Sequence, residues 1–145
     1  LGVDLPDTCA EDSVSNLPLW KDPGSPEVRK DIVHQSIDGS LSIRRGQYKL
    51  ELCPGSGGWS APIPGKEDTT APRFQLYDLS MDISERRNVI EDHLELASEL
   101  KEVLKGYIEN GRSTPGAPQS NNGQRIWNTI GWLDEEDGGE IKIYK

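Results

Sequence analysis

The chain has 145 residues, of which 33% are hydrophobic, with 15 Gly, 10 Pro and a formal net charge of −9. So few apolar residues and so many turn formers predict one small domain with a modest core and long loops. No apolar run approaches the roughly 20 residues of a membrane helix, and no basic-then-apolar leader is visible. The acidic balance lacks the basic stripe that neutralises phosphates and the polybasic segment that meets anionic lipid, so neither nucleic acid nor membrane is an expected partner.

Residues 1–20 open Leu1-Gly2-Val3-Asp4-Leu5-Pro6, where Gly2 fits the end of a helix whose body is elsewhere, and carry only scattered apolar positions. They read as the tail of a preceding domain. Residues 21–30, with Lys21-Asp22-Pro23-Gly24-Ser25-Pro26, read as a linker. Strands follow. Asp31 to Ser36 is β-prone at its start, Asp38-Gly39 is a hairpin signal, and Leu41-Ser42-Ile43-Arg44 alternates apolar and polar. Arg45-Gly46 offers a second turn before Tyr48-Lys49-Leu50-Glu51-Leu52, which alternates again. Cys53 to Ala71 is a long Gly/Pro-rich loop, and Phe74 to Leu79 reads as a fourth strand. The strands predict an antiparallel meander with one face buried and one wet.

One helix is clear. Asp92 and Glu95 have capping-box spacing, and Leu94, Ala97, Leu100, Leu104, Tyr107 and Ile108 recur at steps of three or four. Asn110-Gly111 ends it. The expected fold is therefore α+β: a small antiparallel β-sheet of about four strands packed against one C-terminal α-helix. Residues 31–112 would form this unit. Residues 113–145 would be an exposed connector and C-terminal extension, in which Arg125 to Ile130 and Ile141 to Tyr144 could be two final strands. Between those strands lies the acidic Asp134-Glu135-Glu136-Asp137 with Gly138-Gly139.

Tests for chemistry yield no self-contained active site. The histidines are His34 and His93. His93, in the first helical turn, reads as a solvated surface residue; His34, on a strand, is the better candidate, although a half-buried hydrogen-bonded histidine explains it as well. Cys9 and Cys53 can pair, but two cysteines neither make a disulfide framework nor fix a redox compartment. Cys9, His34, Cys53 and His93 lack the close pairs of zinc motifs, and the 134–137 run lacks the spaced ligands of a calcium loop. Gly55-Ser56-Gly57-Gly58 lacks the Lys-Ser/Thr and helix start of a phosphate cradle. Trp59, on the same loop, either stacks on a sugar ring or folds back onto the sheet edge.

Five segments, taken in order, resemble the arylsulfatase-type sulfatases. Glu11 to Leu19 is similar to the point where the family's catalytic domain hands over to its C-terminal subdomain, although Gly is commoner where Glu11-Asp12-Ser13 stands. Ser36 to Leu50 resembles the C-terminal hairpin, with Gln35 separating His34 from Ser36 and Tyr48 in place of the usual Trp. Leu52 to Ser60 resembles the loop that follows in bacterial members. Leu76-Tyr77-Asp78-Leu79 with Asp82, Glu85 and Asn88 resembles the run before the last helix, and Gly111-Arg112-Ser113-Thr114-Pro115-Gly116 resembles endings in the group. The resemblance covers about residues 1–116.

The resemblance implies the C-terminal subdomain of a sulfuric ester hydrolase, partnered by an N-terminal catalytic domain and acting there on a sulfated carbohydrate or aryl sulfate. Such enzymes use calcium and a formylglycine made from Cys or Ser in a Cys/Ser-x-Pro-x-Arg motif. Cys53 has Pro at the next position and Gly57 where Arg would be, and Cys9 is followed by Ala10-Glu11, so neither fits. No catalytic residue, metal ligand or cofactor is therefore assigned within this chain, which should be inactive alone. His34, Trp59, Arg44 and Arg45 are the candidates for the substrate rim, and alternation allows only one of the two arginines on the pocket side. A periplasmic or extracellular location follows from the resemblance. The competing readings are a stand-alone carbohydrate-binding module built on Trp59 and a purely structural interaction domain.

Overall fold

The computed structural model describes residues 4–63, 72–121, 123 and 128–134. Its centre is a four-stranded antiparallel sheet in the order β1-β2-β3-β4, with β1 at Asp31–Gln35, β2 at Leu41–Arg45, β3 at Tyr48–Glu51 and β4 at Gln75–Asp78. A short helix α1, Leu17–Lys21, precedes the sheet, and the long helix α2, Leu94–Asn110, follows it. This is the α+β arrangement the sequence predicts.

Register fixes what each face carries. Val33 pairs Ile43, Ile43 pairs Leu50, and Leu50 pairs Leu76, so one apolar row crosses all four strands. Ile43, Leu50 and Leu76 are fully buried, together with Ala97, Leu100 and Leu104 of α2. Helix and sheet thus close one core from two faces, the arrangement that buries an amphipathic stripe. The opposite row, His34, Ser42, Glu51 and Gln75, points away from α2.

Several local features depart from the sequence reading. Asp92 does not cap α2: Ile90–Asp92 is a 3-10 turn, and the capping position is His93, with no side-chain cap bond. Ile90 is buried in the core, which draws this turn inward and sets the helix start two residues after Asp92. His93 is half-buried, its ring 5.3 Å from that of Tyr48, rather than simply solvated. Leu94, at the head of the stripe, is exposed, whereas Lys101 is buried with its ammonium 5.7 Å from the centre of the Phe74 ring, within cation–π range. Gly111 ends α2 in the left-handed conformation, φ 62°, with Arg112 N–H donating to Tyr107 O and Gly111 N–H to Ile108 O.

The region after α2 is more than an exposed connector. The Arg112 side chain is buried, and Ile130 and Trp132 join the core from a 3-10 segment, Asn128–Asp134. That segment replaces the end of the strand expected over 125–130. Residues 125–127, the strand expected at 141–144 and most of the acidic run lie outside the described residues.

Candidate functional site

The sheet face turned away from α2 is the candidate site, because it carries polar groups rather than core. Arg44 and Lys49 lie side by side on it in register. Lys49 Nζ sits 2.7 Å from Glu51 and 2.8 Å from Glu85, which reaches over from the loop after β4. Burial acts to lower the Lys49 pKa, but the two carboxylates outweigh it and hold the ammonium above its ordinary value. Burial also pushes the Glu51 carboxyl up. Glu85 keeps its position at a backbone φ of 53°, uncommon for a residue with a side chain. Beside this cluster, Tyr77 donates to Gln75 Oε1 at 2.7 Å, and burial followed by the Glu51 and Glu85 charges raises its phenol to about 12.

His34 lies at the edge of this face, on β1, paired with Ser42 and exposed. Partial burial and then Lys49 and Arg44 hold its imidazole below the ordinary value, which favours the neutral ring. It can then donate one hydrogen bond and accept another, which suits a hydroxyl better than an anion. Arg44 is exposed on the same face and donates from Nε to Gly46 O at 2.9 Å. Arg45 is on the other face. Its guanidinium pairs with Asp31 and Glu99, beneath α2, and Tyr107 donates to the same Asp31 at 2.9 Å. Of the two arginines only Arg44 shares the side of His34, and Arg45 belongs to the sheet–helix junction.

The loop after β3 stands at the same end of the sheet as the β1–β2 turn. Gln75 Nε2 donates to Cys53 O and Gly55 O, Asp38 N–H donates to Gly57 O, and Ser56 Oγ donates to Ser60 O. These bonds hold the loop base, yet Trp59 is 87% exposed, and Ile37 on the adjoining turn is exposed as well. Trp59 therefore does not fold back onto the sheet edge. A rigidly based loop with a free indole face can stack on an apolar ring face.

The Cys53 thiol donates to Gly55 O at 3.2 Å and burial pushes its pKa to about 11, which leaves little thiolate. Cys9 and Cys53 are both free thiols. Among the described residues no group of three or more His, Cys, Asp or Glu could hold a metal ion. No helix among them is long and apolar enough to cross a membrane.

No family model matches the chain. An N-acetylgalactosamine-6-O-sulfatase of Bacteroides thetaiotaomicron is 37% identical over 106 residues, which is 70% of this chain and 19% of that protein. A solved structure from work on the metabolism of multiple glycosaminoglycans by Bacteroides thetaiotaomicron, labelled 6S-sulf, superposes with a TM-score of 0.53 at 37% identity, over 71% of this chain and 21% of its own. The chain thus spans about a fifth of the length of the relatives it matches, a share consistent with a C-terminal sulfatase subdomain. Sequence and fold together make this chain a homologue of the sulfatases.

Proposed function

We propose that this chain is the C-terminal subdomain of a sulfuric ester hydrolase, in which the open sheet face and the Trp59 loop complete the substrate pocket and the helix-backed body stabilises the catalytic domain. The observation that carries this reading is the 37% identity to a sulfatase over 70% of the chain. The arrangement of side chains supports it: Trp59 offers an apolar face, His34 a neutral hydrogen-bonding group and Arg44 a charge for a sulfate. The substrate is a sulfated carbohydrate or an aryl sulfate. The formylglycine and the calcium ion belong to residues outside this chain, and the bond-breaking step belongs there with them. Export to the periplasm or the cell exterior accompanies this function in the family.

None of the three rim residues forms a bond to the reacting sulfur, so they act through affinity. In the full-length enzyme, Trp59→Ala should raise KM for a sulfated oligosaccharide by up to about tenfold, the scale of one aromatic contact. KM for a minimal aryl sulfate and the melting temperature should stay nearly unchanged. If the variant instead unfolds the subdomain and leaves the kinetics of the surviving protein intact, the rim role is wrong. The exposed indole also fits a stand-alone carbohydrate-binding module. That reading would gain if the 145-residue chain alone bound the oligosaccharide and lost it with Trp59→Ala.

A further inference from the structure

Arg112 is a charged side chain only 8% exposed, immediately after the left-handed residue that ends α2. A buried guanidinium is stable only when its donors are met. Here the loop that follows meets them. Nε donates to Thr114 O at 2.9 Å, Nη1 to Ala117 O at 2.9 Å, and Nη2 to Pro115 O at 3.0 Å and Thr114 Oγ1 at 3.2 Å. The loop is wrapped closely enough that Gly116 is required. Its φ is 148°, and a Cβ there would lie 2.2 Å from Nη1.

The same arrangement captures a segment more than a hundred residues earlier. Arg112 Nη1 donates to Asp7 O at 3.3 Å and lies 3.8 Å from the Asp7 carboxylate. Ser113 N–H donates to Asp12 Oδ1 at 2.8 Å, Ala117 N–H donates to Asp7 Oδ2 at 3.2 Å, and Thr114 Oγ1 donates to Glu11 O at 2.5 Å. Arg29, just ahead of β1, completes the junction by donating to Asp12 O, Ser113 Oγ and Asp31 O. The loop thus turns carbonyls toward the guanidinium and two N–H groups toward the carboxylates of Asp7 and Asp12.

We propose that Arg112 is the latch of a clasp: its seated guanidinium shapes residues 113–117 into a docking surface for residues 7–12, which fixes the direction from which the chain approaches the sheet. The clasp joins three segments, the 7–12 strap, the lead into β1 and the end of α2. Residues 7–12 carry acidic groups at the spacing the two loop amides need, which gives these otherwise scattered polar residues a specific role.

Hydrogen exchange of the intact 145-residue chain tests this. In the wild type, the Ser113 and Ala117 amides should be protected. Gly116→Ala expels the guanidinium without removing it, and Arg112→Leu removes it. Both should speed exchange about ten- to a hundredfold, the scale of losing hydrogen bonds to charged groups, in 113–117 and in 7–13 together. The amides of Ile43, Leu50 and Leu76 should not change. If 7–13 already exchanges like free peptide in the wild type, or keeps its wild-type rate while 113–117 is released, the latch is overturned. Should either variant also release the sheet amides, the pair Asp7→Ala with Asp12→Ala, at two exposed positions, decides. Loss of protection at Ser113 and Ala117 supports the clasp, and unchanged protection refutes it.

Discussion

Asp31 stands at the head of β1 with its carboxylate buried beneath α2, where Arg45 and Tyr107 both donate to it. Burial acts to raise its pKa, but the hydrogen bonds from Arg45 and Tyr107 and the charges of Arg45 and Lys30 prevail and hold it below the usual carboxylate value. A folded-state pKa below the unfolded one means stability that is present above the unfolded value, about 3.9, and is lost as pH falls through the folded value. Asp31→Asn should therefore cost about 1.5–3 kcal/mol at pH 7, the range for hydrogen bonds to charged groups. The gap to wild type should shrink well below pH 3.9, as urea denaturation at both pH values would show. A gap independent of pH would assign the loss to packing instead. Alternation in the sequence is enough to separate Arg44 from Arg45, since neighbours on a strand face opposite ways. It does not reveal that Arg45 pairs with Asp31 and Glu99, because Glu99 is 54 residues away. Arg112 is less legible still: its partners are mostly backbone carbonyls, which every residue possesses and no residue type advertises.

The strands and α2 are legible because each keeps one period for long enough. The alternation over Leu41 to Leu52 selects β2 and β3, and the three-four spacing of Ala97, Leu100 and Leu104 selects the buried side of α2. Leu100→Ala and Leu104→Ala should each destabilise by about 2–4 kcal/mol, since both side chains are essentially inaccessible in the core. Chemical denaturation measures this directly, and a loss under about 0.5 kcal/mol would mark a surface position. Where the period is short, the reading fails for a physical reason. Asp92 and Glu95 have the right spacing for a cap, but the burial of Ile90 winds the chain before it can serve. Around Ile130, a short β-branched run suits a strand as well as a helical turn, and only the core position of Ile130 and Trp132 decides between them.

For the molecule as a whole, charge bears on whether it can act alone. Sulfate ester hydrolysis proceeds through a sulfuryl group that is negatively charged throughout, and positive groups must converge on it. This chain carries −9 overall, and its central cations are engaged: Arg45 with Asp31 and Glu99, Lys49 with Glu51 and Glu85, Arg112 within its own loop. Neither thiol is suited to attack the sulfur, for Cys53 is held protonated by burial and Cys9 is in no Cys-x-Pro-x-Arg setting. The 145-residue chain incubated with a small aryl sulfate, with or without calcium, should therefore release phenol no faster than a heat-treated control. Release above that control and abolished by Cys53→Ala would place a nucleophile within this chain, and the division of labour with a separate catalytic domain would have to be abandoned. If the chain is inactive alone but a catalytic domain regains activity on mixing with it, the pocket is assembled from both parts. In that mixture Trp59→Ala should weaken oligosaccharide turnover without preventing association, because the indole stands clear of the core that holds the subdomain together.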